Sequence, residues 1–201
     1  MPRVLITAFG PYSCWSSNAS WLTLVEFTKD IPNSVDVTTR LYPVDFNETR
    51  RLLEQDLRLG FDYALHLGQA PGSASIQLET IGINVGGHSS QHPDEFQPLV
   101  DDGPVAFRSQ LPMPVLASKL RECGIPAHVS YYAGTYLCNA TLYLSHFLVQ
   151  QFACSTRSAF IHLPLDVSQV LHDGDDDLPT LPANTTPRAL RLINEHIAQE
   201  G

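Results

Sequence analysis

Basic residues are scarce in this chain. Lys and Arg number 12 against 21 Asp and Glu over 201 residues, a formal net charge of -9 with a pI near 5.2. A nucleic-acid surface needs clustered cations, so no nucleic-acid partner is expected, and the acidity reads as solubility. Long apolar runs are missing too. No stretch approaches the roughly 18 residues that cross a bilayer, so no membrane partner is expected. The opening MPRVLITAFG has a short apolar run and no small-residue cleavage site after a longer one, so no export and a cytoplasmic location are expected. Cys14, Cys123, Cys138 and Cys154 show no CxxC spacing, which disfavours a zinc cage or a disulfide framework and favours reduced thiols. GxGxxG is missing near the glycines at 68–72, which weakens a nucleotide-binding reading.

What is present has the profile of a packed protein: 43% hydrophobic, 16% charged and 9% aromatic. The length suits one domain over residues 1–201, and no internal repeat is visible. Strand-like segments at 3–8, 35–44, 63–67, 76–85, 127–132 and 158–163 alternate with helical spacing at 20–30, 47–59, 114–122, a segment after Gly134, and 186–199. In the first helix Leu22, Val25 and Phe27 are the expected apolar positions; Asp45 or Asn47 can cap the second, and Gly60 can close it. Leu190, Ile193 and Ile197 form the stripe of the last. The pattern predicts an α/β/α sandwich, a mostly parallel twisted sheet covered by helices on both faces. Residues 68–75 read as a small-residue turn, 86–104 as a long surface loop and 172–184 as an acidic, Pro-rich link.

Three residues invite a chemical reading. Cys138 falls in the first turn of the helix after Gly134, where unpaired N–H groups and the dipole favour a thiolate and could also receive an oxyanion. A free cysteine is equally a small buried hydrophobe. His162 ends a strand in FIHLPL, and ligands collect at the strand C-termini of such sheets, although a lone histidine in an apolar stretch is often a core residue. Glu79 lies within the apolar IQLETIGIN, where burial calls for a partner such as His162 and exposure would explain it as well. Nucleophile, base and orienting carboxylate together are what thiol acyl transfer requires.

The motifs resemble those of pyroglutamyl peptidase I, peptidase family C15. TAFGPYSCWSSNASW is similar to that family's opening TGFxPFG and Asn-Pro-Ser, AGTYLCNATLY to its AGTxxCN, and FIHLPL to its FIHxP; HLGQA before an Ile-x-Leu-Glu strand is similar to the segment with its Gln and catalytic Glu. They occur in family order across residues 3–165. The resemblance implies a cysteine omega peptidase that removes an N-terminal pyroglutamyl group from peptides, needs no cofactor or metal, and assembles as a homo-oligomer, a dimer or tetramer. It implies Cys138 as nucleophile, His162 as general base and acid, and Glu79 as the orienting acid. It also implies that Phe9, Tyr12 and Tyr136 border the ring pocket, and that Gln69 and the Leu137 backbone read the lactam amide. Aromatic walls and a few placed polar partners suit a flat, uncharged lactam.

The chain departs from the family pattern where arginines are usual. Thr80 follows Glu79, NVGGHSSQHPDE carries none, and Ser73 stands at the turn; Gly10 and Ala19 alter the opening motif. Ordinary activity, a shifted amide substrate, or a divergent, inactive homologue that binds a lactam or peptide end are all open on this basis. A metal-dependent hydrolase built on His88, His92, Asp94 and the acidic run 173–177 is a weaker rival, because the spacing matches no zinc or calcium loop.

Overall fold

The computed structural model describes residues 1–88, 90–173 and 177–200. Its sheet begins with β1 (Arg3–Phe9) and β2 (Asp36–Tyr42), joined through helix α1 (Ala19–Phe27), and continues through α2 (Phe46–Leu57) into β3 (Tyr63–Gln69) and then β4 (Ile76–Glu79). After β5 (Ile81–Ile83) and β6 (Ala106–Arg108) come α3 (Met113–Glu122), β7 (Ala127–Ser130), α4 (Leu137–Gln151) and β8 (Arg157–Leu163). The chain closes with β9 (Leu165–Asp166), α5 (Val167–Asp173), β10 (Thr180–Leu181) and α6 (Thr185–Glu200). The six-stranded sheet runs in the order β2-β1-β3-β8-β4-β7. All neighbours are parallel except β4 with β8, which are antiparallel. The mostly parallel sheet expected from the alternation of elements is therefore the one observed.

Helices cover both faces, and the alternation of side chains along each strand sorts them. Val4, Ile6, Leu65, Leu67, Ile161 and Leu163 pack with α1, α3 and α6, while Leu5, Phe9, Ala64 and Phe160 pack with α2 and α4. Burial on both faces explains why β1, β3 and β8 read as nearly continuous apolar runs. Local signals start the helices: Asn18 caps α1 by accepting from Ser20 N–H, and Asp45, not Asn47, caps α2 by accepting from Glu48 N–H. Gly60, at φ 75°, turns the chain out of α2 into β3.

Several expectations are corrected. Val25 is exposed, and Leu24 takes its place in the core beside Phe27, which is buried as expected. Residues 76–85 are not one strand: β4 stops at Glu79, and β5 pairs with β6 in a separate antiparallel ribbon. Gly82 permits this, because a Cβ there would lie 2.8 Å from the Tyr143 backbone nitrogen of α4. Gly68 and Gln69 belong to the end of β3 rather than to a turn. In the stretch read as an irregular loop, a short 3-10 helix spans Pro93–Glu95, Gly86 bridges to Gln97, and the Asn84 side chain donates to the carbonyls of Val100 and Gly103. The stretch read as a link contains the end of α5 and β10, which pairs with β9, while residues 174–176 of the acidic run lie outside the described residues.

Under α4 the core contains a polar chain. Thr7 Oγ1 bonds His66 Nδ1 at 2.8 Å, His66 Nε2 bonds Ser145 Oγ at 3.0 Å, and Ser145 Oγ bonds Ser158 Oγ at 2.7 Å, which ties α4 to β1, β3 and β8. Burial, with the charge of His146 adding to it, lowers His66 from 6.5 to about 3, and burial lowers His146 to about 4. Between those values and 6.5 the unfolded chain binds protons that the fold refuses, so stability falls as pH drops below 6.5. Urea unfolding across pH 6 to 4.5 should show this loss with a slope of about 1.4 kcal/mol per pH unit for each histidine. His146→Phe, whose ring would keep the stacked contact with Phe107, should remove about one proton from that slope; an unchanged slope would contradict the assignment.

Candidate active site

Cys138 is the second residue of α4. Gly134, in the left-handed region at φ 80°, turns the chain from β7 toward this helix. Tyr136 is the N-cap residue, and its side chain does not cap. The amides of the first turn therefore face the site without a side-chain acceptor, in the positive end of the helix dipole. The turn is pinned by the buried Asn139. Its Oδ1 accepts from Ile83 N–H at 2.9 Å, and its Nδ2 donates to the carbonyls of Ile83 and Val85 at 3.0 and 2.9 Å. The β5 strand thus fixes where α4 begins.

The sulfur lies over β3 at a position cleared by a missing side chain. A Cβ on Gly68 would lie 2.6 Å from Phe160 Cζ and 3.0 Å from Cys138 Sγ. Gly68 is paired in register with His162 on β8, so the same glycine that admits the thiol sets it beside the imidazole. Glu79 pairs with Phe160 on the antiparallel β4–β8 side. It therefore shares a face with His162, two residues along, as a diagonal neighbour within side-chain reach. His162 Nδ1–H donates to Glu79 Oε1 at 2.7 Å, and Glu79 is fully buried.

That bond occupies Nδ1 and leaves Nε2 for chemistry, with Cys138 near enough for its charge to act on the ring. Burial works against a charged imidazole. The charge of Cys138, followed by hydrogen bonding and charge at Glu79, outweighs it and raises His162 from 6.5 to about 10. Its proton contributes stability that is fully present below the unfolded value of about 6.5 and is lost as pH rises through about 10. Cys138, His162 and Glu79 thus form one connected line: a sulfur at a helix N-terminus, a protonated imidazole, and a carboxylate that fixes its orientation. Such a line can attack a carbonyl carbon and hand a proton to a leaving group.

A cavity opens beside the sulfur, walled by Phe9, Tyr12, Val44, Tyr136 and Leu137, with Asn18 and Gln69 as its polar side chains. All five pocket residues expected from sequence border it. Tyr136 packs between Tyr12, Phe46 and His88, with ring centroids 5.7, 5.2 and 4.6 Å away. Phe46 and His88 were not expected near the site, because each lies in a segment without a motif. A separate cleft of about 310 Å³ lies behind this aromatic cluster between α2 and the 86–99 segment, away from the sulfur.

Other candidates are not brought together. His88 bonds Ser90 and meets Tyr136 edge to face, while His92 pairs with Asp94 at 3.3 Å on the exposed surface. Among the described residues no group of three His, Cys, Asp or Glu side chains could hold a metal ion. The acidic run meant to complete that set lies partly outside the described residues. Where the arginine after Glu79 is missing, Thr80 is buried with its Oγ1 unpartnered, and Glu79 Oε2 likewise has no partner. Sequence reasoning missed Gly68, Asn139 and Gln169. Asn139 was legible in the AGTYLCN context, whereas Gln169 sits in α5, which had no signal of its own.

Known proteins resemble the chain over its whole length. The family model described as pyroglutamyl peptidase matches residues 2–200. A pyrrolidone-carboxylate peptidase of Streptomyces coelicolor is 35% identical over 201 residues, covering 96% of this chain and 90% of that protein. One of Yersinia pseudotuberculosis is 34% identical, covering 96% and 91%. Among solved structures, the pyrrolidone carboxyl peptidase of Fervidobacterium islandicum superposes with a TM-score of 0.92 at 31% identity, covering 99% of each chain. A mutant pyrrolidone carboxyl peptidase of Pyrococcus furiosus superposes with a TM-score of 0.89 at 29% identity, covering 98% of each.

NMR titration of the His162 imidazole should give a midpoint near 10. Cys138→Ser should lower it more than Glu79→Gln, since the sulfur is the stronger of the two influences; the reverse order would contradict this account. Gly68→Ala should destabilise the protein by about 1–3 kcal/mol and slow alkylation of Cys138, because the new methyl must displace Phe160 or the sulfur. Wild-type stability and thiol reactivity in that variant would refute the close-approach role.

Proposed function

The chain belongs to the pyroglutamyl peptidase family, and from that premise we propose that it removes an N-terminal pyroglutamyl group from peptides by thiol acyl transfer, with Cys138 as nucleophile, His162 as acid and base, and Glu79 as the orienting carboxylate. One observation carries the reading: His162, bonded to the buried Glu79, lies beside the Cys138 sulfur, which borders a small aromatic cavity. Neither the family nor its named relatives support a non-catalytic binding role.

The pyroglutamyl ring lies between Phe9, Tyr12 and Tyr136, with its lactam amide on Gln69 and the Leu137 backbone. Cys138 Sγ attacks the carbonyl carbon that joins the ring to the next residue. A C–S bond forms, and the carbonyl electron pair moves to an oxygen held by the amides of the first turn of α4. The C–N bond then breaks as His162 delivers its Nε2 proton to the departing amine. His162, now neutral, takes a proton from water; the water oxygen attacks the thioester, the C–S bond breaks, and pyroglutamate leaves. Glu79 keeps Nε2 aimed along this path by holding Nδ1–H and favours the imidazolium that begins acylation and re-forms in deacylation.

The unpartnered Glu79 Oε2 and Thr80 Oγ1 mark where the family's arginines are missing, yet none of the atoms used above depends on an arginine. The same reading carries a single catalytic domain over residues 1–201, a reducing cytoplasmic setting suited to four free cysteines, and assembly of like chains into dimers or tetramers. No helix among the described residues is long and apolar enough to cross a membrane.

Hydrolysis of a chromogenic pyroglutamyl amide under reducing conditions tests the proposal. Wild type should turn it over, and Cys138→Ala should lose at least about a thousandfold in kcat/KM. Absence of wild-type turnover would sink the substrate, and undiminished turnover by the variant would sink the nucleophile.

A further inference from the structure

The carboxamide of Gln69 reaches the cavity from the end of β3. The two ends of an amide are alike in shape and opposite in hydrogen-bond sense, so what faces a ligand is decided by what holds the group from behind. Gln69 Oε1 accepts from Ala19 N–H and from Gln169 Nε2, both at 2.7 Å. Its two lone pairs are used, and the end left for the cavity is the NH2 group, a donor only.

Gln169 is 1% exposed and has no orientational freedom of its own. Its Oε1 accepts from Asp166 N–H at 3.0 Å, and its Nε2 donates to the Ser17 carbonyl at 3.0 Å as well as to Gln69. A main-chain N–H can only donate and a main-chain carbonyl can only accept. These two backbone groups therefore fix which end of Gln169 points at Gln69, and Gln169 together with Ala19 N–H fixes which end of Gln69 points at the cavity.

We propose that Gln169 is a positioning residue that sets selectivity for a lactam by holding the Gln69 carboxamide with its NH2 toward the pocket. The inference rests on the reading that the cavity takes the pyroglutamyl ring. A ring carbonyl accepts from that NH2. A prolyl ring, with a methylene in its place, leaves a desolvated donor unpaired, which is how polar sites reject analogues most strongly.

Gln169 has a second, purely structural bond set that the test must separate. Asp166 Oδ1 accepts from Ser168 N–H at 2.8 Å while Gln169 Oε1 accepts from Asp166 N–H, a reciprocal cap at the start of α5. Glutamate serves that cap as well as glutamine does, but it would present an acceptor to Gln69 Oε1 where a donor is needed. Gln169→Glu therefore keeps the cap and inverts the polarity, and Gln169→Met removes the donor without adding charge.

The experiment compares kcat/KM on a pyroglutamyl and a prolyl amide, and the rate of Cys138 alkylation by iodoacetamide, for wild type, Gln169→Glu, Gln169→Met, Gln69→Leu and Gln69→Leu with Gln169→Met. Both Gln169 variants should lose at least about tenfold in kcat/KM on the pyroglutamyl amide, mainly through KM, and should narrow the preference over the prolyl amide. Alkylation should stay within about twofold, and in the Gln69→Leu background Gln169→Met should change kcat/KM by less than about twofold. If the buried charge unfolds Gln169→Glu, Gln169→Met carries the same readouts. Wild-type turnover with unchanged kcat/KM in the Gln169 variants overturns this inference alone, whereas no wild-type turnover overturns the substrate reading with it. Alkylation that slows in step with kcat/KM, or an undiminished effect of Gln169→Met in the Gln69→Leu background, overturns it in favour of a structural role.

Discussion

The single antiparallel pairing in the sheet is the constraint from which the site follows. Because β4 runs against β8, Glu79 falls opposite Phe160, and its side chain reaches His162 diagonally on the same face. On the other side of β8, parallel β3 sets Gly68 opposite that same histidine and leaves room for the sulfur. One imidazole is thus held between a carboxylate and a thiol by strand register. A slip of one residue in either ladder would turn Glu79 to the opposite face or set Gln69 where Gly68 now admits the thiol.

The position of α4 is the second half of that geometry, and buried polar contacts add to its apolar packing in fixing it. Asn139 bonds β5 at the helix start, and the Thr7–His66–Ser145–Ser158 chain bonds the helix middle to three strands. Apolar packing tolerates sliding, whereas satisfied buried hydrogen bonds specify one placement. The cost is a pair of histidines that the fold keeps neutral by burial, in contrast to His162, which it keeps charged through its partners. Three histidines on one face of the sheet therefore titrate in opposite senses for one reason: whether a negative partner is within reach.

Much of this was legible beforehand because its signals are local. Strands buried on both faces are continuous apolar runs, caps and glycines mark helix ends, and the order of the motifs around Cys138, His162 and Glu79 carried the family. What escaped detection depends on neighbours distant in sequence. Residues 76–85 alternate like one strand, yet the chain leaves the sheet after Glu79 because Gly82 packs flush on α4. Val25 has helical spacing but faces outward, since which side of α1 meets the sheet is set by how the helix docks. Gln169 sits in a seven-residue helix beside an acidic run, with nothing in its flanks to mark it.

The sequence by itself determined the α/β class, the residue types capable of thiol chemistry and the first turn of α4 as the setting for Cys138, since each follows from periodicity and motif within a short stretch. Only the tertiary structure decided that Glu79 and His162 are bonded, that Gly68 admits the sulfur between them, and which end of the Gln69 amide meets the cavity. Those outcomes rest on the pairing of residues 50 to 100 positions apart, and strand register and helix docking set such pairings rather than any local preference.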